Sequence, residues 1–208
     1  MNYSLSDLNS ETARMADDKL FAIDIDGVAC DHATAICRYV EEVHGVECEA
    51  EDVVTWDHDF GPITFMEAVD ELYPDRSFIL DMPVTRGFSS FFESLRERLS
   101  VTFASAREAY CHKATTDWIR RNFGDVPIHF TKDKSASQAA YLVEDNAKEA
   151  LGFAKGNGVA FLLRKPWNDN IETRGLLAEC PHGFFVSSFS EILATMDCDT
   201  STGDLPWR

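Results

Sequence analysis

Four apolar residues, Leu20, Phe21, Ala22 and Ile23, run directly into the acidic turn Asp24-Ile25-Asp26-Gly27, and this junction constrains the fold more than any other part of the chain. A short uninterrupted apolar run is what a parallel strand buried on both faces requires. Carboxylates at its end then lie on the edge where open α/β sheets bind their ligands. The pattern returns downstream. A Phe-rich helix (Phe88, Phe91, Phe92, Leu95) leads to an apolar strand at 101–104, a helix follows through Trp118 and Ile119, and further short apolar strands read at 128–130, 140–143, 159–163 and 184–186. Repeated alternation of this kind predicts an α/β fold, a three-layer doubly wound parallel sheet with right-handed crossovers.

The segments sort by periodicity. Residues 1–19 are polar and aperiodic, a leader expected outside the sheet. The core domain is expected over 20–30 and 84–196. Between them, 31–83 carries two helical patterns and no strand. One has Ile36, Val40 and Val43 and stops at Gly45; the other has Phe65, Met66, Val69 and Leu72 and precedes Pro74. This stretch is expected to form a small helical cap inserted after the first strand, and 197–208 reads as a loose tail.

Charge and cysteine usage narrow the partners. Asp and Glu number 36 against 19 Lys and Arg, a formal net charge of −17. Such a surface repels polynucleotides and anionic membranes, while leaving room for a local pocket that takes a small anion. No apolar run is long enough to span a bilayer. Six cysteines without a CxxC pair read as a reduced, cytoplasmic protein. The oligomeric state is left open, a homodimer included.

Three predicted strand ends share a chemical theme: Asp24 and Asp26 after the first, Ser105 after the second, and Glu144 with Asp145 after a later one. In a parallel sheet these ends lie side by side. Gathered carboxylates hold a hard cation such as Mg²⁺, commonly together with a phosphate. A hydroxyl such as Ser105 and an ammonium such as Lys134 suit the remaining phosphate oxygens. Taken singly, each feature is ordinary: an Asp-x-Asp-Gly turn is mostly a solvated loop, Ser105 a helix cap, a lysine a surface charge. Their order along the chain is what points to phosphoryl transfer.

That order resembles the haloacid-dehalogenase-like phosphatases across about residues 20–165. FAIDIDGV is similar to their DxDGx signature, FASAR to the second motif, DKS to the third, which supplies a lysine, and LVED to the acidic fourth. The resemblance implies that Asp24 attacks phosphorus to form an aspartyl-phosphate, while Asp26 protonates the leaving group and later activates water. It implies that Asp24, the backbone carbonyl of Asp26, and Asp145 bind Mg²⁺, with Glu144 supporting metal-bound water where an Asp is commoner. Ser105, Ala106 and Lys134 would hold the phosphoryl oxygens. Lys132 is the alternative third-motif lysine; Lys134 is preferred for its DKS context nearer the next strand.

A finer resemblance, carried by Trp56-Asp57 in the cap, the SAR turn, KDKS and LLRKPWN at 162–168, is to the 5′(3′)-deoxyribonucleotidase type and related nucleotidases. It implies a nucleoside monophosphate as substrate, with cap aromatics Trp56, Phe60 and Phe65 packing on the base. Such stacking is worth about 1–3 kcal/mol per base. Trp118 and Trp167 are assigned to packing. Two other readings stand beside it: a phosphatase for a sugar phosphate or other small phosphomonoester, and a non-catalytic phosphate- or metal-binding relative. Retention of both Asp24 and Asp26 argues against the last.

Overall fold

The computed structural model describes residues 19–156 and 158–202; most of the polar leader and the last six residues lie outside them. Six parallel strands form one sheet in the order β3-β2-β1-β4-β5-β6. They are β1 (Leu20–Asp24), β2 (Ser100–Ser105), β3 (Ile128–Phe130), β4 (Tyr141–Glu144), β5 (Val159–Leu163) and β6 (Gly183–Val186). The order reverses beside β1, because the chain first builds outward through β2 and β3 and then returns to β4 on the other side. The expected α/β architecture is therefore present, with β1 at its centre.

The two faces of the sheet are packed differently. Along β1, Phe21 and Ile23 point to one side and Ala22 to the other. The first side carries an aromatic core in which Phe88, Phe91 and Phe92 of α4 (Phe88–Arg96) meet Phe103, Phe123 and Phe161. On the second side, Ala22, Ala104, Leu142 and Ala160 leave room for α6 (Ala147–Lys155), whose Ala150, Leu151, Phe153 and Ala154 lie against them. The strands thus alternate in side-chain size rather than polarity, as a sheet covered on both faces does.

After β1 the backbone closes a tight turn, with Gly27 N–H donating to the Cys30 carbonyl and Cys30 N–H to that of Ile25. The chain then leaves the sheet and returns beside its own exit: Asp31 N–H donates to the Pro83 carbonyl, and Thr85 N–H to that of Ala29. Residues between these crossings form α1 (His32–His44), a 3₁₀ turn (Ala50–Asp52), α2 (Phe65–Leu72) and α3 (Arg76–Asp81). Asp31 caps α1 by accepting from Thr34 N–H, and Gly45 ends it at φ 68°, the left-handed conformation that favours glycine. Ile36, Val40, Phe65, Ala68 and Leu72 give this region a small core of its own. Val43, grouped with that stripe by spacing, is exposed instead.

α5 (His112–Phe123) follows β2, α7 (Ile171–Ala178) follows β5, and α8 (Phe189–Thr202) closes the chain, so the expected tail from residue 197 overlaps the end of a helix. The cysteines require a correction. Cys37 on α1 and Cys48 in the loop beyond it are joined in a disulfide, with Cα atoms 5.2 Å apart. The loop brings together two residues that spacing alone does not mark as a pair, so the reading of every cysteine as a reduced thiol does not hold for these two. No helix among the described residues is long and apolar enough to cross a membrane.

Candidate active site

Strand register assembles the site. Asp24 at the end of β1 pairs with Ala104 on β2, one residue before Ser105. On the other side Ile23 pairs with Val143, so Glu144 and then Asp145 emerge level with Asp24 and just beyond it. Neighbouring strands lie about 4.8 Å apart, which brings these side chains together at one edge of the sheet. Carboxylate oxygens of Asp24, Glu144 and Asp145 fall within 4.8 Å of one another, all three buried.

One lysine is inserted among them. Lys134, buried, donates from Nζ to Asp24 Oδ1 at 2.5 Å and also to Glu144 Oε2. It sits in a 3₁₀ turn (Lys134–Ser137) capped by Asp133, which accepts from Ser135 N–H. Burial disfavours its charge, but Asp24 and then Glu144 outweigh this and hold the ammonium strongly protonated. Lys132 faces outward at the cavity rim, paired with Glu108 at 2.7 Å. Glu144 is fully engaged: besides Lys134, its Oε1 accepts from the N–H groups of Asp145 and Asn146, both at 3.0 Å.

One ammonium does not balance three buried carboxylates. Burial, followed by the charge of Glu144, pushes the Asp24 carboxyl up to about 8. Burial and the same neighbour raise Asp145 well above the usual carboxylate range. A donor set of hard oxygens carrying excess negative charge fits a divalent cation such as Mg²⁺, whose charge would bring both groups back to their ionised forms.

Asp26 points elsewhere, toward a clamp. Arg107 donates from Nε to its Oδ2 at 2.9 Å and from Nη2 to its Oδ1 at 2.6 Å, and the Tyr73 hydroxyl donates to Oδ1 at 2.8 Å. Burial alone would raise Asp26, but the Arg107 charge and hydrogen bonds hold it well below the usual carboxylate range. Ser105 is buried beside Asp24's strand, its Oγ accepting from Arg107 N–H at 3.2 Å, and Ala106 lines the cavity above.

Gly27 explains how Asp145 fits. At φ 75° it occupies left-handed backbone, and a Cβ there would lie 2.0 Å from Asp145 Oδ2. Gly27→Ala therefore has to displace the carboxylate while straining the turn, at a backbone cost of about 1–2 kcal/mol. We expect a lower unfolding midpoint together with at least a tenfold weaker apparent Mg²⁺ affinity, read from a metal titration of thermal stability. An unchanged titration would mean that Asp145 does not depend on this glycine.

Above the carboxylates opens a cavity of about 540 Å³ lined by both the sheet edge and the helices of 31–83. Trp56 reaches it. Phe60 and Phe65, the other aromatic candidates, lie in the small helical core, Phe60 against His58 and Phe65 edge-on to Trp56. Trp118 is packed in the main core, donating from Nε1 to the Met82 carbonyl. Trp167 does more than pack: its Nε1 donates to Asp145 Oδ2 at 3.1 Å, while its ring lies 5.3 Å from that of Trp56. Asn168 beside it donates to the carbonyls of Asp145 and Leu163. Arg107, Tyr73, Trp167 and Asn168 join the site beyond the residues expected from sequence, although three of them lie in the SAR and KPWN segments that carry the resemblance.

The family described as "5' nucleotidase, deoxy (Pyrimidine), cytosolic type C protein" matches residues 18–177. No curated protein matches the sequence significantly. Among solved structures, an HAD family hydrolase from Deinococcus radiodurans R1, with bound phosphate and sodium, superposes with a TM-score of 0.60 at 11% identity, covering 88% of this chain and 96% of that one. A haloacid dehalogenase-like hydrolase from Streptococcus pneumoniae gives 0.58 at 13%, covering 88% and 100%. At these identities the likeness concerns the fold. The family match extends over most of the chain and takes in every motif at the sheet edge, so the protein belongs to the cytosolic type C 5′-nucleotidase family of haloacid-dehalogenase-like phosphatases.

Proposed function

We propose that this protein is a Mg²⁺-dependent phosphomonoester hydrolase that works through an aspartyl-phosphate on Asp24 and takes nucleoside monophosphates as substrates. The observation that carries the reading is the placement of Asp24 between Lys134, Ser105 and the Arg107-clamped Asp26, on the floor of a cavity walled by Trp56. Residues 31–83 then act as a cap that selects the leaving group. Asp24 and Asp145, with the Asp26 carbonyl, would hold the metal, and Glu144 would orient Lys134 and the Asp145 backbone beside it. Bound Mg²⁺ offsets the carboxylate charge and polarises the phosphoryl group.

The chain's own groups supply the rest. An Asp24 oxygen forms a bond to phosphorus as the ester bond breaks, and the departing oxygen takes a proton from Asp26. Water then attacks the phosphorus of the aspartyl-phosphate, gives its proton to Asp26, and Asp24 leaves as a carboxylate. Lys134, the Ser105 hydroxyl and the Ala106 backbone hold the phosphoryl oxygens in both halves. In its Arg107 clamp Asp26 is ionised, ready to accept a proton; donating one in the first half requires Arg107 to slacken its grip. The −17 charge supports a small substrate over a polynucleotide, and family membership supports a cytoplasmic setting.

The test is phosphate release from ribo- and deoxynucleoside monophosphates, sugar phosphates and an aryl phosphate, with Mg²⁺ or EDTA. A nucleotide preference that is lost in EDTA is expected. Metal-dependent release favouring sugar phosphates would keep the chemistry and discard the nucleotide assignment. No release from any ester would favour a binding protein.

A further inference from the structure

The first residue of α1 poses a physical problem. His32 is 1% exposed, yet neither ring nitrogen has a hydrogen-bond partner. Burying a polar group unpaired is costly, and native structures rarely tolerate it without a compensating role. His32 is one of the residues that line the cavity above Asp24 and Asp26. Its ring is enclosed by aromatic neighbours: Trp56 stacks at 5.7 Å, while Phe65 and Trp167 approach edge-on at 5.5 and 5.9 Å.

Surroundings of this kind select what can satisfy His32. Burial lowers its pKa to about 4, so at neutral pH the ring is uncharged, with one nitrogen donating and the other accepting. A neutral ring adds no charge to attract a phosphate, and its acceptor nitrogen finds no donor on a phosphate dianion. The aromatic walls favour a flat or apolar group carrying a neutral donor and acceptor. Nucleosides present that chemistry twice, on the amide edges of the base and on the sugar hydroxyls.

We propose that His32 is a specificity-determining residue that hydrogen-bonds a neutral polar group of the substrate's nucleoside portion, so that its unpaired nitrogens are satisfied only when substrate is bound. The inference rests on the nucleotidase reading above and adds the residue that distinguishes a nucleoside from a bare ester. The stability of the resting protein is lowered so that binding regains a hydrogen bond, a stability-for-function trade found at binding sites.

The experiment compares wild type, His32→Phe and His32→Asn on a nucleoside monophosphate, ribose 5-phosphate and an aryl phosphate, with unfolding midpoints measured in parallel. His32→Phe fills the slot without polar atoms. It should lower the ratio of kcat/KM for nucleotide over aryl phosphate about three- to tenfold, chiefly through KM, as expected for one neutral hydrogen bond. It should also melt no lower than wild type. His32→Asn keeps a donor and an acceptor and should recover part of the ratio. A parallel loss with ribose 5-phosphate would assign the contact to the sugar, and a loss confined to nucleotide would assign it to the base; both support the proposal. If wild type prefers nucleotides and His32→Phe leaves the ratio unchanged, the His32 proposal is overturned while the nucleotidase reading stands. If wild type shows no nucleotide preference, both fall together.

Discussion

Asp24→Asn is expected to reduce phosphate release by at least about a thousandfold while leaving the fold intact. The amide keeps the shape of the side chain but lacks the anionic oxygen that bonds to phosphorus. The loss should therefore appear in kcat, with Mg²⁺ saturating. The stability of the same variant has a sign that can be worked out. Burial first, then Glu144, raises Asp24 from an ordinary 3.8 to about 8. An acid raised in the folded state costs nothing below its unfolded pKa; the cost grows between the two values and is complete above the higher one. His32 acts in the opposite sense, because burial lowers it from 6.5 to about 4, but its contribution stops changing once pH exceeds 6.5. Between pH 6.5 and 8 the carboxylates dominate. In EDTA the wild-type unfolding midpoint should therefore fall across that window, and Asp24→Asn should flatten the decline. Mg²⁺ should raise the wild-type midpoint, since a ligand bound to the folded state stabilises it.

Lys134→Met should be among the most destabilising single substitutions in the chain. The ammonium lies between Asp24 and Glu144, both buried, with Asp145 beside them. Removing it leaves three carboxylates with no cation, and breaking a buried ion pair by deleting one partner costs about 3–5 kcal/mol. For a domain of this size that corresponds to a fall of roughly 6–20 °C in unfolding midpoint in EDTA. Mg²⁺ should return part of the loss in stability but not the activity, because the phosphoryl oxygens lose a cationic partner. A shift below about 1 kcal/mol, measured in EDTA above pH 8 where Asp24 is ionised, would contradict the pairing of the Lys134 ammonium with Asp24 and Glu144.

The residues on consecutive strand ends were the legible part of this site. Asp24, Ser105, Glu144 and Asp145 each end an apolar run, and parallel register alone makes them neighbours. Lys134 could be preferred over Lys132 from its setting in DKS, and in the structure it is the buried one of the two. What stayed hidden depends on contacts between residues distant in the chain. Tyr73 and Arg107 meet Asp26 across 47 and 81 residues, and no local pattern marks that meeting. The cap aromatics were legible as a group but not individually: spacing does not say that Trp56 reaches the cavity while Phe60 and Phe65 fill the interior of the helical region. His32 escaped because a single histidine at a helix start is unremarkable until its nitrogens are found unpaired. α7 escaped for a different reason. It buries Thr173 and Leu177 but leaves Ile171 and Leu176 exposed, so its apolar residues do not fall on one face.

The central claim is that Asp24 itself carries the phosphoryl group during turnover. Acid quenching of the enzyme during steady hydrolysis of a phosphate-labelled nucleoside monophosphate in Mg²⁺, followed by peptide mapping, tests it most directly. The account predicts acid-stable label on the peptide containing Asp24, absent in EDTA and in Asp24→Asn. Steady turnover by Asp24→Asn at a rate near that of wild type, with no label on this peptide in either protein, would contradict it.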